Sequence, residues 1–360
     1  MQATLANWRT APFNRWAFHH VRELLPSADI PHDPLAVRAL PPGKVEFKGF
    51  DLEGFLRDTE TDGMAVLHRG RLVLERYGNG MRDETPHILM SVSKSMLGLL
   101  VHELALDAER RVVELIPELK DTAYRDATLR HLLDMRAGIA WDENYLASSG
   151  PIVEYRKATG WNPLAPGDAP SDLHSFYQAL TQTAGHEGPL HYVSPNSDLL
   201  GWVVERATGR RYADLMSELV WKKIGAERSA YITVDRLGAP RCAGGMCVTL
   251  RDLVRVGQWL IEERPGFLNE IESRGDGAAW SAGDLAQYYP GLPMHYRSQW
   301  YVGEGAAPLV FGMGIHGQNL FIDRAHQIVI AKFSSQAPPL DAAPIARTMR
   351  AVSVLRKRLA

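Results

Sequence analysis

Two patterns of apolar and polar positions divide the chain. Met64-Ala65-Val66-Leu67-His68 and Arg71-Leu72-Val73-Leu74-Glu75-Arg76-Tyr77 flank the short turn Arg69-Gly70. This predicts a β-hairpin, ended by Gly78-Asn79-Gly80. Near the C-terminus, Asn319–Asp323 and Gln327–Phe333 predict another strand pair across Arg324-Ala325-His326. Between these pairs the pattern turns helical. Ser91 to Leu106 carries Met96, Leu97, Leu99, Leu100, Val101 and Leu104 without a Pro. Further helices are predicted over Thr128–Met135, over Asp198–Thr208 with Gly209 as its stop, and over Thr249–Glu262 with Thr249 as N-cap. The last, over Asp341–Leu355, closes the chain.

Strands, a helical middle, strands and a terminal helix predict an α/β (α+β) fold. Its antiparallel sheet is assembled from both chain ends, with flanking helices and an inserted all-helical region. Residues 1–50 form a lead-in that packs on the domain and is extended over Pro26–Gly49. Residues 51–88 and 291–360 form the sheet region, and 89–290 the mainly helical insertion, all in one compact unit. A cleft between sheet and insertion is the expected ligand site. The segment 141–190, rich in Gly, Pro and aromatics, is expected to be functional, and a lid role is open.

Composition narrows the function. Lys+Arg number 40 and Asp+Glu 42, hydrophobic residues make up 45%, and there are 2 Cys. That balance excludes a disordered chain and a disulfide scaffold, and it lacks the basic excess of a nucleic-acid binder. The N-terminal stretch through Arg9 has no basic start followed by an apolar run, and no segment has the roughly 18 apolar residues of a spanning helix. The expectation is a cytoplasmic protein with reduced Cys242 and Cys247, no membrane and no nucleic acid. His68, His87, His102 and His131 are scattered, so no metal or other cofactor is expected.

Three short motifs could carry chemistry. In Ser91-Val92-Ser93-Lys94 the i,i+3 spacing puts Ser91 and Lys94 on one helix face, with Ser91 at the helix start. A Lys with lowered pKa can take the Ser proton, and the helix start offers N–H groups to an anion. The bland alternative is a Ser N-cap with a solvated Lys. Chance alone gives this spacing about once in two such chains, so the strongly apolar helix that follows is what favours the catalytic reading. Tyr192-Val193-Ser194 offers a phenol that could be acidified beside a lysine and relay protons, or could simply be packing. Gly312-Met313-Gly314-Ile315-His316-Gly317 either lets a ligand approach the backbone or marks a bulge.

In order and spacing these motifs resemble the three boxes of the penicillin-recognising serine hydrolases, the class C β-lactamase/transpeptidase-like family. Within it the chain is most similar to the branch of 6-aminohexanoate-dimer (nylon-oligomer) hydrolases and carboxylesterases. The likeness extends to Asn14–Phe18, Leu89–Ser95, Gly244–Cys247, Thr249–Leu253 and Gly314–Leu320. It implies Ser91 as the acylated nucleophile, Lys94 as its activator and Tyr192 as general base and acid. The backbone N–H groups of Ser91 and Ile315 would form the oxyanion hole. Tyr145, Gly160, Trp161, Ser194, Tyr301 and His316 would contact substrate.

The third box here lacks the cation that holds a substrate carboxylate in β-lactamases, and Ser194 stands where Asn is common. Asp142, Glu143 or Asp168 could supply a carboxylate for a substrate ammonium. The leading expectation is a serine hydrolase cleaving amide or ester bonds of small linear molecules, with a homodimer left open. The alternatives are a β-lactamase or D-alanyl peptidase, and a non-catalytic binding protein on the same fold.

Overall fold

A computed structural model describes residues 2–360; Met1, the first residue of the lead-in, lies outside the described residues. The main sheet has seven strands in the order β3 (Arg71–Tyr77), β2 (Thr61–His68), β11 (Ile328–Ser334), β10 (Gln318–Asp323), β9 (Leu309–Gly314), β8 (Trp300–Gly303) and β7 (Met294–Arg297). Every neighbouring pair is antiparallel. The two chain ends meet where β2 lies beside β11, with His68 opposite Ile328 and Met64 opposite Lys332. The expected hairpin and the late strand pair both sit in this sheet.

Successive residues of the central strands serve two cores. Ala65, Leu67, Val329, Ala331, Leu320 and Ile322 face the larger one. Met64, Val66, Ile328, Ile330 and Phe321 face the other. Burial on both faces explains why these strands read as nearly unbroken apolar runs. On the larger-core side pack α1 (Val92–Glu103) and α5 (Leu250–Glu263); on the other lies α6 (Ala342–Leu359), through Val352, Leu355 and Leu359. Thr249 caps α5, its hydroxyl accepting from the Asp252 amide at 3.2 Å.

The insertion also carries α2 (Leu129–Leu133), α3 (Pro151–Ala158) and α4 (Ser194–Thr208). Gly209 ends α4 at φ 66, as its position suggested. The helix begins at Ser194, four residues before the expected Asp198, because a Pro in the first turn costs no hydrogen bond. The C-terminal helix continues four residues past the expected Leu355, since Leu359 is also buried on the sheet.

One expectation is corrected. The insertion is not all helical, and short strands outside the predicted pairs form a second sheet. A second sheet runs β1 (Ser27–Ile30), β5 (Ala230–Thr233), β6 (Met246–Val248), β4 (His87–Ile88). Its strands have two to four residues, and β5 and β6 are buried throughout, so they show no alternation to read. This sheet ties the lead-in to the insertion and delivers the chain to the start of α1.

The helix α1 sits unusually close to the sheet. A Cβ on Gly98 would lie 2.1 Å from the Ser298 carbonyl oxygen in the β7–β8 turn. Helix propensity alone makes Gly98→Ala stabilising by about 1 kcal/mol. The contact reverses the sign, and we expect a net loss of about 1–3 kcal/mol in urea unfolding. A net gain would contradict this packing.

Candidate active site

The backbone turns sharply into α1. Leu89 donates its N–H to the Met246 carbonyl at 2.8 Å, and Met90 then takes φ 45, a left-handed conformation at a buried non-glycine residue. Such strain persists where surrounding structure enforces it. Ser91 follows as the first helical-phase residue and makes no side-chain cap. It stands at the N-cap position, but its hydroxyl caps no backbone amide and meets Lys94 instead. Lys94 is 1% exposed, which sets aside the solvated alternative.

Lys94 Nζ lies 2.9 Å from Ser91 Oγ and donates to the Ala243 carbonyl at 2.7 Å. No carboxylate stands within 4 Å of it among the described residues. Burial lowers Lys94 to about 7, partly offset by the more distant Glu143 and reinforced by Arg241. The amine is thus poised between ammonium and free base at neutral pH.

Tyr192 stands just before α4, its amide donating to Asp284 at 3.2 Å. Its ring centroid is 5.0 Å from Lys94 Nζ. The sequence suggested an acidified phenol beside a lysine; the structure gives the opposite. Burial pushes Tyr192 well above the ordinary tyrosine value, the neighbouring Ser91 and Tyr301 hydroxyls oppose this, and the Glu143 carboxylate adds to it. Tyr192 is a neutral phenol, able to give a proton.

The end of β9 closes the other side. A Cβ on Gly314 would lie 2.6 Å from the Leu89 carbonyl oxygen and 2.9 Å from the Ser91 nitrogen. One on Gly312 would lie 2.8 Å from Ser95 Oγ. The small residues of this motif therefore admit α1, not a ligand, and they bring the Ile315 backbone alongside that of Ser91. Ile315 opens the turn Ile315–Gly317, whose carbonyl accepts from Gln318 Nε2 at 3.3 Å.

A narrow cleft opens over Ser91 and is lined by Tyr145, Trp161, Ser194 and Ile315, all expected. Three expected contacts are corrected. His316 does not line it: its Nδ1 is 2.6 Å from the Gln336 carbonyl and its ring packs on Phe18. Gly160 makes the turn after α3 at φ 74 and leaves the lining to Trp161. Tyr301 is buried behind Tyr192, stacked on Phe311 at 5.2 Å.

Of the three acidic candidates, Glu143 lines the cleft, Asp142 is exposed and Asp168 pairs with Lys157 at 2.8 Å. Glu143 accepts from the Ser194 amide at 2.9 Å, from Ser194 Oγ at 2.6 Å and from the Trp141 indole. Sequence reasoning missed three cleft arginines: Arg9 from the lead-in, Arg156 from α3, and Arg241 from the loop after β5. Only Arg241 has a carboxylate partner, Asp198.

The chain also matches known proteins. The Beta-lactamase family matches residues 52–354. The 6-aminohexanoate-dimer hydrolase of Paenarthrobacter ureafaciens is 34% identical over 354 residues, covering 94% of this chain and 89% of that protein. Esterase EstB of Burkholderia gladioli is 29% identical over 166 residues, 44% of this chain and 41% of the esterase. A solved Bacillus anthracis structure titled "Putative 6-aminohexanoate-dimer hydrolase" superposes with a TM-score of 0.87 at 25% identity, covering 99% of each chain. With this match across the sheet, the insertion and the Ser91 cleft, the chain belongs to the beta-lactamase family and is a serine hydrolase of that family.

Proposed function

We propose that the protein cleaves amide or ester bonds of small linear molecules through an acyl-enzyme on Ser91. The observation that carries this reading is the 2.9 Å contact between Ser91 Oγ and a buried, uncompensated Lys94. In the free-base form Lys94 accepts the Ser91 proton as Oγ attacks the substrate carbonyl. The oxygen of the tetrahedral intermediate takes hydrogen bonds from the Ser91 and Ile315 backbone N–H groups, aided by the N-terminus of α1. Tyr192, a phenol, then donates its proton to the leaving nitrogen or oxygen and recovers it through Lys94. A water molecule enters by the same route and releases the acyl group. The similarity to a 6-aminohexanoate-dimer hydrolase and to an esterase supports short linear amides and esters as the substrate class. The tyrosines and Trp161 of a narrow cleft suit an alkyl chain better than a bulky ring.

Three outcomes follow from these roles. Ser91→Ala lowers hydrolysis of 4-nitrophenyl butyrate by at least about 10³-fold while circular dichroism stays native; wild-type turnover in the variant would remove Ser91 from the mechanism. In the wild type, kcat/KM rises with pH through about 7, because protonated Lys94 cannot act as base. A pH-independent rate between 5.5 and 8.5 would contradict that role (about one and a half units on either side of the midpoint).

The same shift has a stability consequence. Lys94 is protonated in both folded and unfolded states below about 7, so the cost of its burial is fully present there. That cost is of order 5 kcal/mol and fades as pH rises from about 7 toward the ordinary lysine value. Lys94→Met therefore loses activity yet melts higher than wild type, by a margin larger at pH 6 than at pH 9. A destabilised variant, or a margin that grows with pH, would contradict the buried-amine account.

A further inference from the structure

A second buried lysine stands behind the Ser91 cleft. On β11 the two-residue period puts Lys332 on the face of Ile328 and Ile330, which pack in the core under the C-terminal helix. It lies opposite Met64 on β2 and Asn319 on β10, and it is 1% exposed. Burial lowers it to about 7, opposed by the carboxylates of Asp62 and Glu60. Neither acid pairs with it. Asp62 meets His87 at 3.3 Å and accepts from the Ser335 hydroxyl at 3.0 Å, and Glu60 accepts from the Ala337 amide at 2.8 Å. A buried amine without an ion-pair partner is costly to keep. Lys332 does not line the cleft, and the Ser91 chemistry makes no direct use of it.

Its hydrogen bonds converge on one turn. Nζ donates to the Gly317 carbonyl at 3.4 Å and to Ser334 Oγ. The Gln318 side chain holds both backbone groups of Ser334: the amide donates to Oε1 at 3.0 Å, and the carbonyl accepts from Nε2 at 2.7 Å. The same Nε2 donates to the Ile315 carbonyl at 3.3 Å. Lys332 therefore grips the last residue of the Ile315–Gly317 turn directly, and the first through Ser334 and Gln318. The turn needs such a brace. His316 at φ 61 and Gly317 at φ 92 are consecutive left-handed residues, and only the second is a glycine.

We propose that Lys332 is a positioning residue for the oxyanion hole: by bracing the Ile315–Gly317 turn from behind, it aims the Ile315 backbone N–H at the oxygen of the tetrahedral intermediate. This deepens the proposed serine-hydrolase reading and rests on it. A neutral amine keeps N–H groups to donate, so the brace survives deprotonation of Lys332. The Ile315 N–H matters most as charge develops on the substrate oxygen. Its misalignment therefore weakens transition-state binding and leaves ground-state binding alone.

The test compares wild type, Lys332→Met and Ser334→Ala on 4-nitrophenyl butyrate. Each is also inhibited with butane-1-boronic acid, which bonds its boron to Ser91 Oγ and mimics the tetrahedral intermediate. Lys332→Met lowers kcat/KM about 30-fold and raises the boronate Ki by a similar factor. Ser334→Ala, a smaller lesion in the same chain of contacts, does both about threefold. Butyramide, a ground-state analogue, inhibits all three within about twofold of one another. The boronate Ki is read from the molecules that remain active, so partial unfolding of Lys332→Met lowers turnover without raising Ki. The pH midpoint of kcat/KM stays near 7 in both variants, because the surroundings of Lys94 are untouched.

An unchanged boronate Ki in Lys332→Met overturns the positioning role, whether turnover is lost or kept. A pH midpoint displaced by about one unit or more also overturns it, since Lys332 would then act on Lys94. If the boronate fails to inhibit the wild type and Ser91→Ala keeps its turnover, the Ser91 reading itself fails, and the inference falls with it.

Discussion

Removing Lys94 from water is the act on which the rest of this structure depends. An amine buried beside a hydroxyl and a carbonyl, with no carboxylate in contact, loses the solvation that normally keeps it protonated. Everything around it serves that exclusion. The helix α1 is buried from Val92 through Val101, and Gly98, Gly312 and Gly314 let it press onto the sheet without intervening side chains. Had Glu143 reached Lys94, the ammonium would have been stabilised and the base lost. The structure instead commits Glu143 to Ser194 and Trp141.

The same packing builds the rest of the site. Because β9 approaches α1 at glycine contact distance, the Ile315 backbone comes alongside the Ser91 backbone. The polar network around the Ile315–Gly317 turn, through Gln318, Ser334 and Gln336, fixes that alignment from behind. His316 takes part in that support at φ 61. Tyr192 arrives from the insertion just ahead of α4, and the arginines come from three further segments. No single stretch holds the site, so local sequence shows its pieces but not their assembly.

That distinction decides what could be read in advance. The hairpin, the late strands and α1 were legible because burial on defined faces leaves a period in the sequence. Ser91 and Lys94 were legible because one helical turn relates them. The second sheet was not: its strands are too short and too uniformly buried to show a period. Tyr192 was found by motif, but its phenol state was misjudged, since burial outweighs the opposing Ser91 and Tyr301 hydroxyls. The histidine next to Ile315 faces away because the turn inverts there, which no side-chain pattern reveals. Arg9 and Arg156 lie 147 positions apart, and only the fold brings them to one cleft; the aromatic Trp8 beside Arg9 was the one local hint.

The state of one amine tests the account most directly. The Lys94 side chain can be titrated in the intact protein by NMR of ¹³Cε-labelled lysine, assigned by comparison with Lys94→Met. The account predicts a midpoint near 7. A midpoint close to the ordinary lysine value of about 10.4 would show Lys94 to be an ammonium throughout the working range, and would contradict it.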